Sequence, residues 1–326
     1  MALAAKQLPA SMTIEPIAPY MGVKLSGLDL EAAARQPEFI DLLKKLLAEH
    51  LLVFVPKQKI SGATMEFIPA QLGPLVNIKR AGNVAHHVPN YDWIKVISNG
   101  KAPDGVAYGD GNASAQIWHS DSTPWEVPVG YIAFYCRQTV NPVPKTFFKN
   151  MIAVYDALPE AMKERINKVR VIHHFYPRQI EIKIHQEGPS MPLEDRKLGF
   201  VHPLVRRHLP TGKSILYLPT RRDSLVQGMS EEEGGKLLRE LWDFANQAQF
   251  DVGVGLEPDD FVIWDNSATV HSRDGWDESQ TRIMWHVSAE GEVPTPMYSK
   301  RTVNTIGLSP EAAREAMKKQ VEMSDY

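Results

Sequence analysis

One cysteine in 326 residues, Cys136, leaves no partner for an internal disulfide, so a reducing, cytoplasmic setting is the expectation. Charge of one sign is also missing: 36 Lys and Arg stand against 39 Asp and Glu, a formal net charge of −3. No basic excess is therefore available to neutralise a phosphate backbone, which argues against a nucleic-acid partner. No run of about 18 apolar residues is present to span a bilayer, so no membrane partner is expected. The opening MALAAKQLPASM lacks the long apolar stretch and small-residue cleavage site of a secretory leader. Repeats, low-complexity tracts and Gly/Ser linkers are absent too, and one domain over residues 1–326 is the expected organisation.

Proline is plentiful. The 24 prolines are spread along the chain and favour many short elements joined by turns. Met12 to Leu30 reads as two short strands. Phe39, Leu42, Leu43, Leu46 and Leu47 follow helical spacing up to His50, and Leu51 to Val55 reads as a buried strand closed by Pro56. Further β-rich runs are Trp93–Ser98, Gly130–Tyr135, Val169–His173, Ile215–Leu218 and Phe261–Trp264. Ser230 and Glu233 form a capping box for a helical insertion around residues 225–250, with Leu237, Leu238, Leu241 and Phe244 as its stripe. A C-terminal helix is expected from about residue 309, opened by Ser309-Pro310. The pattern predicts a mainly β fold with flanking helices, built on a sandwich or barrel core.

Chemistry concentrates at IWHSD, residues 117–121. On a strand, His119 and Asp121 would face the same side, and two histidines with one carboxylate suit non-haem Fe(II) with coordination positions left open. Alone, His-x-Asp is weak: with 11 histidines, about half a match arises by chance. The alternative is a hydrogen-bonded histidine at a strand end. A rival pair, His185-x-Glu187, sits in a polar stretch that reads as a loop rather than a rigid support. His271, in the segment FVIWDNSATVHSRDGWDESQTRIMWHVSAEG, is the candidate third ligand. Arg282, before the strand Ile283–Ser288, would offer a planar fork to a carboxylate, although an arginine there is more often a surface residue.

Together these pieces resemble the taurine dioxygenase / 2,4-dichlorophenoxyacetate dioxygenase family of Fe(II)- and 2-oxoglutarate-dependent oxygenases. The resemblance runs from about Ile14 to Gly291 and includes IEPIAPYMGVKLSGLDL, LLAEHLLVFVPKQKI and the LGPL that ends Phe67–Leu75. It continues through WHSD at 118–121, TFF at 146–148, HPLVR at 202–206 and IWDN at 263–266, and closes on His271 with Arg282. It implies a double-stranded β-helix, a jelly-roll core with the metal in its mouth. It implies His119, Asp121 and His271 as iron ligands, and Arg282 with Thr146 as the site for the distal carboxylate of 2-oxoglutarate. The cofactors implied are Fe(II), 2-oxoglutarate and O2. The default outcome is hydroxylation of a C–H bond in a small organic acid or amino-acid-like molecule, with succinate and CO2 as coproducts. Desaturation or cyclisation would use the same groups, and a non-catalytic metal-binding barrel or a zinc hydrolase are the competing readings.

Candidate substrate contacts are Lys79, Arg80, His86, His87, Ser122, Trp125 and His286, each with a plain alternative as a solvated or packing residue. Arg206, Arg221 and Arg222 read as surface charges. Two departures from the family pattern stand out. Residues 142–146 read PVPKT where relatives carry Gly-Gly before the threonine, and His286 stands where taurine dioxygenase has a sulfonate-binding arginine. An imidazole is the poorer sulfonate anchor, which disfavours taurine. Relatives form dimers or tetramers, so a homo-oligomer is an expectation of the resemblance.

Overall fold

A computed structural model describes residues 9–76, 86–101, 107–109, 111–174 and 192–297. Its first strands are β1 (Thr13–Ala18), β2 (Met21–Ser26), β3 (Leu52–Val55), β4 (Lys95–Ser98), β5 (Gln116–His119), β6 (Val129–Gln138), β7 (Lys145–Asn150) and β8 (Arg170–His174). They continue as β9 (Gly199–Pro203), β10 (Val205–Arg207), β11 (Ser214–Leu216), β12 (Asp251–Gly255), β13 (Phe261–Asp265), β14 (Thr269–Arg273) and β15 (Ile283–Glu290). The helices are α1 (Leu30–Ala33), α2 (Pro37–His50), α3 (Gly62–Ala70), α4 (Met151–Ala157), α5 (Glu160–Ile166), α6 (Leu193–Arg196) and α7 (Glu231–Ala245).

Two sheets dominate. A seven-stranded sheet runs β1-β2-β3-β13-β6-β15-β4, and a four-stranded sheet runs β12-β7-β14-β5. Strand alternation sorts the large sheet's residues onto two buried faces. On β6 and β13, Ile132, Cys136, Val262 and Trp264 join a core that includes Phe148, Val252 and Val254 of the small sheet. Their neighbours Ala133, Tyr135, Phe261 and Ile263 face the other way, against α2 and α3. The inter-sheet space therefore takes every second residue of β15: Met284, then His286, then Ser288.

Helix α2 follows its sequence pattern. Pro37 opens it, Phe39, Leu43, Leu46 and Leu47 bury its stripe, and Leu51 ends it at φ 62°. The α7 capping box between Ser230 and Glu233 is also formed. Its inner face holds Trp242, fully buried, besides the three leucines of the expected stripe. Helices α3, α4 and α5 carry no clear apolar period and were not anticipated. Asn150 explains the start of α4, since its side chain caps the amides of Ile152 and Ala153.

The arginines read as surface charges are buried instead. Arg206, Arg221 and Arg222 are 3%, 4% and 8% exposed. Each has a local reason: Arg221 pairs with Asp223, Arg222 with Asp243, and the Arg206 guanidinium lies 4.9 Å over the Tyr217 ring. The expected C-terminal helix, Lys79, Arg80 and the His185-x-Glu187 pair lie outside the described residues. Among the described residues no helix is long and apolar enough to cross a membrane.

Candidate active site

β5 and β14 are antiparallel neighbours, and His119 stands directly opposite His271. Opposed residues share a face, and the two rings lie with centroids 4.2 Å apart. Asp121 is reached differently from the strand alternation expected of it. β5 ends at His119, and Asp121 lies in the turn beyond, next to Ser122 at φ 60°. Its Oδ1 stands 3.4 Å from His119 Nε2 and 3.8 Å from His271 Nε2. One donor atom from each of the three residues falls within a 4.8 Å group. Two donors at right angles on one ion, each about 2.1 Å from it, stand about 3 Å apart, so a small contraction closes the set around a metal.

Hydrogen bonds prepare the ligands. His119 Nδ1 lies 2.7 Å from the Ile117 carbonyl. A carbonyl only accepts, so Nδ1 carries the proton and the Nε2 lone pair is left for a metal. Burial disfavours charge on His119, but the hydrogen bond and charge of Asp121 outweigh it and raise its pKa. Burial, reinforced by His119, pushes His271 down to about 3. Burial works against charge on Asp121 as well, yet the two histidines hold its carboxyl far below the usual range. The set is an ionised carboxylate between imidazoles, one of them firmly neutral, which is a divalent-cation donor set.

The Asp121 turn is clamped from outside its own strand. Asp121 N–H donates to Asn266 Oδ1 at 3.0 Å, and Asn266 Nδ2 donates to the carbonyls of Asp121 at 3.1 Å and Val129 at 2.8 Å. Further along, His202 Nε2 donates to the carbonyls of Thr123 and Trp125. Neither residue was singled out as a site residue from sequence, although both sit in quoted motifs, IWDN and HPLVR. Asp265, between Trp264 and Asn266, is fixed by His208 at 2.9 Å and caps the turn into β14 through the amides of Ser267 and Ala268.

Trp264 and Phe148 wall the centre, 5.3 and 6.3 Å from the His271 ring. Beyond them Thr146 and Arg282 are both 2% exposed. Thr146 Oγ1 and Arg282 Nε and Nη2 are buried with no acceptor or donor among the described residues. Burial lowers Arg282 to about 10, which leaves it cationic at neutral pH. Buried polar atoms without partners cost stability, and a carboxylate is the ligand that would satisfy this group.

The substrate candidates scatter. His286 is half-buried on the inner face of β15, 5.2 Å from the Phe134 ring, and its charge is felt at both Asp121 and His271. Ser122 lies in the Asp121 turn, its carbonyl accepting from Trp125 N–H at 3.1 Å, and the Trp125 side chain is exposed. The His86 carbonyl receives Val96 N–H, and His87 bridges to Lys95. Lys95 is opposite His286 across β4 and β15, and His286 opposite Phe134 across β15 and β6, so Lys95, His286 and Phe134 form one row on the inner face, with the exposed His87 beyond Lys95 at its edge. Lys95 was missed from sequence, because nothing local pairs residue 95 with residue 286.

Two histidines and a carboxylate gathered in one group, with a buried arginine whose donors have no acceptor among the described residues, make a donor set for a divalent metal beside a site suited to an acidic ligand. The family model described as taurine catabolism dioxygenase TauD, TfdA family matches residues 13–288, and the chain belongs to that family. It is an Fe(II)- and 2-oxoglutarate-dependent dioxygenase, with Fe(II), 2-oxoglutarate and O2 as its cofactors. The chain is 29% identical over 284 residues to (S)-phenoxypropionate/alpha-ketoglutarate-dioxygenase of Sphingobium herbicidovorans, covering 83% of this chain and 90% of the relative. It is 27% identical over 283 residues to alpha-ketoglutarate-dependent 2,4-dichlorophenoxyacetate dioxygenase of Cupriavidus pinatubonensis, covering 83% and 95%. A taurine dioxygenase structure from Burkholderia xenovorans superposes with a TM-score of 0.68 at 23% identity, over 87% of this chain and 92% of that one, and so shares its fold.

Proposed function

We propose that this dioxygenase oxidises, by hydroxylation, a C–H bond of a small organic acid or amino-acid-like molecule, with succinate and CO2 as coproducts. The observation that carries the reading is the inner-face pair of Lys95 and His286, with His87 at its exposed edge; His286 acts electrostatically on two of the three metal-site residues. Relatives named for phenoxypropionate and 2,4-dichlorophenoxyacetate, both carboxylic acids, support it. An imidazole and an ammonium suit a carboxylate, whereas a fixed guanidinium would be the better sulfonate anchor.

Bound Fe(II), 2-oxoglutarate and O2 supply the oxidising chemistry. His119, Asp121 and His271 would hold the iron, and Asp121 stays ionised there without a proton to lose. Arg282 and Thr146 would orient the cosubstrate by its distal carboxylate. Trp264, Phe148 and Phe134 line the centre with apolar surface and keep bulk water from it. We read the two sheets as the halves of a double-stranded β-helix within one domain, and the lone Cys136 as the mark of a cytoplasmic enzyme.

The test is anaerobic. Fe(II) followed by 2-oxoglutarate should give a weak visible charge-transfer band, and small carboxylic acids should perturb it. Oxygen should then release succinate in proportion to oxidised acid. No band from folded, iron-loaded protein would sink the catalytic reading. Methyl esters that couple as well as their acids would sink the substrate class.

A further inference from the structure

His271 and Arg273 are two apart on β14, so both look into the inter-sheet space. Across β7 the residue opposite Arg273 is Thr146, which sets the two side chains next to each other on one face. Arg273 is buried, at 6% exposure. Its Nη2 donates to the carbonyls of Asn112 at 2.9 Å and Ser114 at 2.6 Å. Its guanidinium lies 4.3 Å over the Trp276 ring, and Arg282 lies over the same ring at 5.6 Å. Burial first, and the charge of Arg282 second, lower Arg273 to about 9.

Two guanidinium groups thus share a buried corner, and no carboxylate among the described residues acts on either. Four donors in that corner have no acceptor among the described residues: Arg282 Nε and Nη2, Thr146 Oγ1 and Arg273 Nε. A carboxylate offers about four lone-pair sites. Arg282 can fill two through its fork and Thr146 a third, which leaves one for Arg273.

We infer that Arg273 is a further cosubstrate-binding residue, completing with Arg282 and Thr146 the cradle for the distal carboxylate of a 2-oxo diacid. The inference rests on the reading of Arg282 and Thr146 as the cosubstrate site. Arg273 Nε faces the anion while Nη2 fastens residues 112–114, the segment that leads into β5 and His119. The same guanidinium thereby couples cosubstrate arrival to the strand that bears a metal ligand. The cradle selects for a second carboxylate, not merely for a chelating keto acid.

Calorimetric titration of the Mn(II)-loaded protein with two acids tests this. One is 2-oxoglutarate. The other is 2-oxovalerate, which keeps the keto-acid end and has a methyl group in place of the distal carboxylate. Arg273→Gln should weaken 2-oxoglutarate about tenfold and leave 2-oxovalerate unchanged. Arg273→Lys, which keeps the charge without the fork, should fall between, and it supplies the comparison if the glutamine variant does not fold. Equal losses for both acids would mean that Arg273 acts only by holding residues 112–114, which overturns the inference. Unchanged affinity for both overturns it as well. A wild-type protein that does not prefer 2-oxoglutarate to 2-oxovalerate would instead overturn the cosubstrate reading, and this inference with it.

Discussion

Replacing Asn266 with alanine removes three hydrogen bonds that join the Asp121 turn to the start of β6. Asn266 is 1% exposed, so water does not readily substitute for its amide. The Asp121 N–H loses its acceptor, a loss of about 1–3 kcal/mol by itself, and two carbonyls lose a donor at a smaller cost each. We expect a total near 2–4 kcal/mol in stability. The more telling effect is on the metal. Asp121 is not held by strand pairing, since β5 stops at His119, and the Asn266 clamp is a main constraint on its carboxylate. Loss of such a supporting group lowers metal affinity by roughly 10–100-fold. Melting curves recorded with and without Mn(II), alongside calorimetric titration of the metal, separate the two effects. The metal-induced rise in melting temperature should shrink in the variant, because stabilisation follows the ratio of free metal to Kd. An Asn266→Ala protein that melts earlier yet binds Mn(II) with wild-type affinity would refute the argument.

Other expectations concern the rest of the site. Asp121→Ala and His271→Ala should each abolish the visible band given by Fe(II) with 2-oxoglutarate; a band retained at full intensity would exclude the residue as a ligand. Arg282→Ala should raise the 2-oxoglutarate requirement by about 10–100-fold through loss of a charge-assisted pair, and unchanged cosubstrate affinity would remove Arg282 from that role. His286→Ala should alter the response to prime-substrate acids more than that to 2-oxoglutarate, and equal losses would place it elsewhere in the site. Burial, with the charge of Arg206 next, lowers His202 to about 3, and burial lowers His174 to about 4. Both are neutral in the folded chain and titrate near 6.5 when unfolded, so their contribution is complete above pH 6.5 and fades as the pH falls from there. The loss should be on the order of 1 kcal/mol per pH unit for each histidine. Urea melts at pH 7.5 and pH 5 read this slope, and His202→Gln should flatten it; an unaltered slope would mean that His202 is not the titrating group.

The metal centre was legible because its parts are local or strongly spaced. His119 and Asp121 are two residues apart, and His271 and Arg282 occupy one continuous segment. What could not be read is how Asp121 gets there. Strand alternation predicts its orientation by the wrong route, since the chain leaves β5 at His119 and turns through Ser122 at positive φ. The groups that hold that turn, Asn266 and His202, lie 145 and about 80 positions away, and only sheet pairing brings them together. The buried arginines fail for a related reason. A sequence shows a charge but not its partner, and the bland expectation for arginine is solvent. Helices α2 and α7 announced themselves through an apolar stripe and a capping box, whereas α4 depends on an asparagine cap at the end of a strand. The β character followed from alternation and proline spacing. The strand order did not, because β13 sits between β3 and β6 by a crossover no local pattern encodes.

Charge balance bears on the choice of substrate. Near the centre the described residues supply one carboxylate, Asp121, and two buried guanidinium groups, Arg273 and Arg282. A divalent metal and a dianionic 2-oxo acid would cancel one another, leaving these three side chains with one positive charge in excess. Buried excess charge is expensive, and the remedy is an anion near the metal. His286 and Lys95 stand opposite each other across β15 and β4, on the sheet face that carries the metal-site side. An anionic substrate should therefore bind more tightly to the cosubstrate-loaded protein than to the metal-only protein by less than its neutral amide does. The cosubstrate removes positive charge that attracts the acid, but leaves the amide's packing untouched. Titrating an acid and its amide against both states measures that difference. A cosubstrate effect of the same size for both would show that charge balance does not govern substrate choice at this site.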